Sequence, residues 1–225
     1  EVQNQDVDNR TRGLLMHDIE AEIMALNGVP VFDKPLVSSV PIVDSTYNDI
    51  NDLWLKSLEY LADKSPWLSR KNAVSVHRCR EIIGVTPDVW QEHLDGETIL
   101  QPMGKIANYL TASLALTNSA PLVCEWPISS NSKSQVTITG IADSGEKSNF
   151  ELAGRIDRVD QLYAHGLDNN QRLIIIRDMK TVNGPKSNLR GERHRRAIFD
   201  ELQLALYAKA WESAYPDDRV IGVGI

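Results

Sequence analysis

Leu173-Ile174-Ile175-Ile176-Arg177-Asp178-Met179-Lys180-Thr181 opens with four consecutive apolar residues. Such a run suits a strand covered on both faces, as in a sheet with helices on either side. Asp178 and Lys180 are two apart, so on a strand they point the same way, toward the edge where the strand leaves the core. A carboxylate and an ammonium held together there fit a structural ion pair or a reacting pair. The local pattern leaves both open.

The preceding candidate strand, Gly154-Arg155-Ile156-Asp157-Arg158-Val159-Asp160, places Asp157 among residues that suit burial. If the two strands pair, Asp157 and Asp178 converge. Two close carboxylates repel, burial raises the cost of ionising both, and a divalent cation relieves both problems. Oxygen donors point to Mg²⁺ or Mn²⁺, since no thiolate cluster favours zinc. Pairing of Asp157 with Arg155 or Arg158 is the competing reading.

Further out, Leu122–Ile128, Gln135–Ile141 and Phe150–Leu162 alternate or run apolar between Ser/Asn/Gly/Lys turns, as strands do. Asp8 to Leu26 is helical, with Asp8 or Asn9 as N-cap and Gly28 as stop. Leu15, Ile19 and Leu26 lie on one stripe of that helix. Leu14, Ala21 and Met24 lie roughly opposite, with His17 among them, so a helix sandwiched between layers is expected. A loop rich in Pro and Ser follows, and then several helices over residues 46–116, marked by Trp54, Leu55, Leu58 and Leu61, by Pro87, and by Ile106, Leu110 and Leu114. They read as an insertion or a cap on one side of a sheet. Ala197 to Trp211 returns to helix, anchored by Phe199, Leu202, Leu206 and Ala210, with Gln203 and Tyr207 on the shoulder of the stripe. Arg219–Ile225 begins a last strand. The expectation is an α/β fold, a mixed central sheet flanked by helices, with a helical insertion.

The 225 residues bound this to one domain with an insert, and 42% hydrophobic residues exclude wholesale disorder. No apolar run approaches a membrane span and no signal peptide opens the chain. The missing initiator Met and the apolar end, Val220–Ile225, read as a piece of a longer protein. Two cysteines, Cys79 and Cys124, suit a reducing compartment and cannot alone build a zinc or iron–sulfur site. With 24 basic against 31 acidic residues the net charge is −7, so nucleic acid must be met by a local patch. Residues 186–196 supply one: Lys186, Arg190, Arg193, Arg195 and Arg196 against Glu192. It is a solvated loop or a phosphate grip.

Gly-Arg-Ile-Asp-Arg-Val-Asp (154–160), Asp-Met-Lys-Thr (178–181) and Asp-Glu-Leu-Gln-Leu-Ala-Leu-Tyr-Ala (200–208) together resemble the PD-(D/E)XK nuclease superfamily. More narrowly they resemble the RecB/AddB type attached to DNA-repair helicases, whose upstream Gly-x-x-x-His helix is matched by Gly13 to His17. The resemblance implies a restriction-endonuclease-like core over about residues 8–28 and 120–225, with the helical insertion over about 46–116, in a single domain spanning 1–225. It implies metal ligation by Asp157, Asp178, His17 and the backbone carbonyl of Met179. Lys180 would activate water, and Gln203 and Tyr207 would support the site. Glu125 would be an extra ligand or a group bonded to one. The basic run would bind DNA.

The implied activity is a Mg²⁺- or Mn²⁺-dependent deoxyribonuclease, an exonuclease on single-stranded ends fed by a helicase partner. Its implied setting is DNA repair and recombination, in the cytoplasm at the nucleoid. A catalytically silent DNA-binding or scaffolding module and a stand-alone structure-specific endonuclease are the alternatives. Several AddB-like nucleases carry an iron–sulfur cluster with cysteines that bracket the domain. Cys79 and Cys124 do not lie in those places, so this chain does not support a cluster.

Overall fold

The computed structural model describes residues 9–41, 118–128, 136–163, 171–179 and 202–224, with Glu59 and Asp63. The chain divides into two compact units, one of residues 1–27 and 42–117, the other of 28–41 and 118–225. Glu59 and Asp63 are helical and exposed; the rest of the helical insertion expected over 46–116 lies outside the described residues.

In the first unit, helix α1 runs Asn9–Leu26. Gly28 follows it at φ +77°, the left-handed conformation that lets a chain leave a helix without a Cβ clash. Leu15, Met16, Ile19, Glu20, Ile23 and Met24 are buried, whereas Leu14 and Leu26 are exposed. Positions spaced this way form one wide face. The expected helix with two apolar sides is therefore corrected to a helix with one buried face, because the apolar character of Leu14 and Leu26 does not oblige them to be covered.

The second unit is built on a four-stranded sheet in the order β1-β4-β5-β6, comprising Ser119–Ile128, Gly154–Leu162, Arg172–Arg177 and Asp218–Gly224. The first three strands are antiparallel in sequence of pairing, and β5 and β6 are parallel, so the sheet is mixed. The parallel pair needs a crossover, which helix α2 (Leu202–Ala214) helps to make. Leu204, Ala210 and Trp211 are its buried residues. Leu202, expected as an anchor, is 70% exposed. Trp211 meets Trp126 of β1 edge-on at 5.0 Å between ring centroids, in a core shared with Ile156, Val159, Ile174 and Ile176. Burying each such side chain contributes about 1.5–3 kcal/mol.

The segment expected as one strand over Phe150–Leu162 is two. Strand β3 (Lys147–Leu152) pairs with β2 (Val136–Ile141) in a separate hairpin, and the chain breaks at Ala153 before β4 joins the main sheet. The hairpin turn closes by Ala142 N–H to Glu146 and Gly145 N–H to Ala142, with Gly145 at φ +80°.

Strand β1 lies at the end of the sheet, and its outer edge is not bare. Cys124 donates to the Pro30 carbonyl, and Phe32, Leu36 and Val40 donate to the carbonyls of Cys124, Leu122 and Pro121. The 30–40 segment thereby satisfies an edge that would otherwise template association. Arg172 fastens the segment through the Leu36 and Val37 carbonyls while it grips Asp218 by two hydrogen bonds, 2.7 and 2.8 Å. Among the described residues no helix is long and apolar enough to cross a membrane.

Candidate metal centre

Two neighbouring strands, β1 and β4, and the residue that follows a third, β5, each bring one buried carboxylate toward the same end of the sheet. On β1, Cys124 is opposite Arg158 and Trp126 is opposite Ile156, which sets Glu125 across from Asp157. On the other side the ladder ends at Arg158 opposite Arg177, and Asp157 and Asp178 are the residues that follow outward from that last pair. Residues directly opposite in an antiparallel pair share a face. Glu125, Asp157 and Asp178 are 1%, 8% and 3% exposed.

Local structure explains each placement. Glu125 has φ +53°, uncommon for a residue with a side chain and a sign of local strain. It follows a register irregularity between Pro121 and Val123 and sits where the 30–40 segment bonds to β1, which together aim its side chain. Asp157 lies in mid-strand and accepts the Met179 backbone N–H at 2.6 Å through Oδ2. Strand β5 ends at Arg177, one residue short of Asp178, and the Asp178 N–H passes instead to the Gly224 carbonyl of β6. The acidic residue thus stands where the ladder stops and the chain turns away.

Glu125 and Asp157 each offer a carboxylate oxygen, and these atoms lie within 4.8 Å of one another. Asp178 is not in that close group; it stands one strand further along the rung. The Arg155 Nε is 2.5 Å from Glu125 Oε2, as an ion pair. Its guanidinium also lies 5.0 Å from the centroid of the Phe32 ring. Arg158 turns to the other face, where it grips Asp160 at 2.6 and 3.0 Å, and Arg177 adds a contact to Asp160 at 2.7 Å. The arginines that the competing reading offered to Asp157 are therefore engaged with Glu125 and Asp160.

The donor chemistry fits a hard divalent cation. The rung is built of carboxylate oxygens, and buried like charges at this spacing favour a compensating positive ion. Among the described residues no thiol joins the group, since Cys124 offers no atom to it.

The remaining expected residues fall as follows. His17 is half-buried on α1, three residues before the buried Glu20, and belongs to the first unit. Gln203 and Tyr207 are half-buried neighbours on α2, joined by a 2.5 Å hydrogen bond between Nε2 and the phenol oxygen. Tyr207 lies over Gly154 at the start of β4, and a Cβ there would be 3.8 Å from its ring. The pair therefore borders the strand that carries Asp157. Lys180, Lys186, Arg190, Arg193, Arg195 and Arg196 lie outside the described residues.

Two neighbours of the rung were not legible as such. Arg155 had a place in the motif only as a rival partner for Asp157, and its bond to Glu125 requires the β1–β4 register. Phe32 stands in a Pro/Ser-rich loop with no periodic signal. Against known proteins, the model of the PD-(D/E)XK nuclease superfamily matches residues 2–224. No curated protein matches the sequence.

Proposed function

The chain belongs to the PD-(D/E)XK nuclease superfamily, and on that premise we propose that it is a divalent-metal-dependent deoxyribonuclease of the RecB/AddB type. Nuclease chemistry and a DNA substrate follow from the family; the residue roles and the setting are our reading. The observation that carries it is the rung of Glu125, Asp157 and Asp178, with two of its oxygens within 4.8 Å.

In this reading Asp157 and Asp178 are metal ligands, Glu125 is a third oxygen donor, and His17 is a further ligand through an imidazole nitrogen, an assignment that rests on the match of Gly13 to His17 with the family's upstream helix. The Met179 backbone, already hydrogen-bonded to Asp157, contributes its carbonyl. A bound Mg²⁺ or Mn²⁺ supplies acidity to water and neutralises phosphate oxygen charge. Lys180 orients the attacking water and shields charge that develops on the phosphate. Gln203 and Tyr207 hold the border near Gly154. Lys186, Arg190, Arg193, Arg195 and Arg196 grip backbone phosphates and guide a strand inward. The substrate is a single-stranded DNA end delivered by a helicase domain or subunit, during repair or recombination in the cytoplasm at the nucleoid. The chain from 1 to 225 serves as one nuclease domain in that assembly.

The test is cleavage of end-labelled linear and circular single-stranded DNA with Mg²⁺, Mn²⁺ or EDTA. Linear DNA should be degraded only with metal, and circles should survive. Asp178→Asn and Lys180→Ala should each lower the rate at least about a hundredfold, at the upper end of losses seen when a metal site's support is removed. Cleavage that persists in EDTA, or full activity in both variants, would refute the assignment.

A further inference from the structure

Beside the rung lies a second feature, joined to it through the Arg155–Glu125 ion pair. Phe32 is 54% exposed and holds φ +56°, so a bulky aromatic residue occupies a conformation usually left to glycine. Its N–H donates to the Cys124 carbonyl at 3.2 Å, and Cys124 in turn donates to Pro30 at 3.0 Å. The peptide whose oxygen receives Phe32 is the one that joins Cys124 to Glu125. The two left-handed residues with side chains among the described residues, Phe32 and Glu125, thus flank one hydrogen-bonded peptide. Arg155 ties the two side chains together, its Nε on Glu125 and its guanidinium over the Phe32 ring.

A ring held at this exposure does little for a core, and an exposed cation–π contact contributes only about 0.5–1 kcal/mol. Strain kept at such a place points to a task outside folding. The ring offers a flat apolar face next to a cation and one hydrogen bond from a metal-binding strand. That combination suits a nucleotide: a base has a π-face to stack, and its phosphate is anionic.

We propose that Phe32 and Arg155 form a subsite for one unpaired nucleobase of single-stranded DNA, adjoining the reacting phosphate. The proposal rests on the nuclease reading and deepens it. The base stacks on Phe32 while Arg155, anchored through Glu125, faces the neighbouring phosphate. A base inside a duplex is stacked on both sides and has no free face for the ring, so the subsite selects unpaired strands. Phe32 acts on positioning, not on bond cleavage.

Fluorescence anisotropy with the full chain in EDTA, where no hydrolysis occurs, tests this. The probes are an oligothymidylate strand and an abasic strand of equal length, which share phosphates and differ in bases. The unaltered chain should bind the thymidylate about tenfold more tightly, the range for one stacked base. Phe32→Gly should bring that ratio to about one and keep the thermal midpoint, since glycine accepts φ +56°. Phe32→Trp should preserve the ratio. A ratio that Phe32→Gly leaves unchanged, or a ratio of one in the unaltered chain, overturns the subsite and leaves the nuclease reading standing. Binding to neither strand would sink both.

Discussion

Replacing Asp157 by asparagine should stabilise the metal-free protein and destroy its response to metal. Glu125 and Asp157 offer oxygens within 4.8 Å of one another. Two full charges at that distance repel by about 3.5 kcal/mol at an effective dielectric of about 20. Arg155, with its Nε 2.5 Å from Glu125, offsets a large part of this. Asn keeps an oxygen for the Met179 N–H but adds an amide whose own hydrogen bonding costs about 1 kcal/mol if incomplete. The balance favours Asp157→Asn by about 1 kcal/mol in EDTA. With Mn²⁺ at about a hundred times its dissociation constant, the unaltered chain should gain about 2.7 kcal/mol, and the variant little. The order of stability therefore inverts between the two buffers. Urea denaturation followed by tryptophan fluorescence reads this directly, since Trp126 and Trp211 lie in the core. A variant that is less stable in EDTA and gains as much from Mn²⁺ as the unaltered chain would refute the charge argument. Glu125→Gln is the internal comparison: it also breaks the Arg155 pair, so its gain in EDTA should be smaller.

Asp160→Asn should cost about 3–5 kcal/mol, seen as a lower urea midpoint at unchanged slope, because it weakens a fully buried carboxylate that holds Arg158 and Arg177. Gly154→Ala should change stability by less than about 1 kcal/mol, as its Cβ would meet Tyr207 at ordinary contact distance; Gly154→Val should displace Tyr207 and reduce cleavage more than stability. Burial, first, and then Asp218 raise the Tyr215 phenol above its usual value of 10.0, partly countered by Trp126 and Arg172. Folding thus favours the protonated phenol: its contribution is whole below pH 10 and is lost as pH rises through the folded value. Tyr215→Phe should flatten the alkaline fall in urea midpoint.

The mixed sheet was legible because its strands announce themselves. Ile174 and Ile176 are buried, while Leu173 and Ile175 on the other face are only half-buried, so the run expected to be covered on both faces is fully covered on one; β1 and β6 were read within a few residues of their limits. What failed were judgements that depend on a partner. Whether Phe150 continues into Leu162 depends on β2 capturing β3, a pairing that local alternation does not encode. Leu14, Leu26 and Leu202 have the composition of buried residues and remain exposed, since hydrophobicity permits burial without assigning it. Asp157 and Asp178 could be picked out because strand periodicity fixes their faces. Glu125 could be suspected but not aimed, because its orientation comes from a positive φ and a register slip. Phe32 was out of reach for the same reason: a left-handed loop residue leaves no pattern in the sequence.

Strand β4 carries the rung proposed to bind a cation on one face and a charge-paired cluster on the other. Asp157 and Asp160 are three apart, so they face opposite ways across the sheet. On the Asp160 face one carboxylate meets two guanidinium groups, Arg158 and Arg177, in short contacts that close the charge within the protein. On the Asp157 face the register gathers three carboxylates, Glu125, Asp157 and Asp178, with Arg155 on the first of them. The two faces also differ in exposure, since the Arg155 side chain is 45% exposed and that of Arg158 only 2%. The divalent cation proposed for the rung would bind this negative charge, and the experiment with Asp157→Asn measures how far that charge weighs on folding.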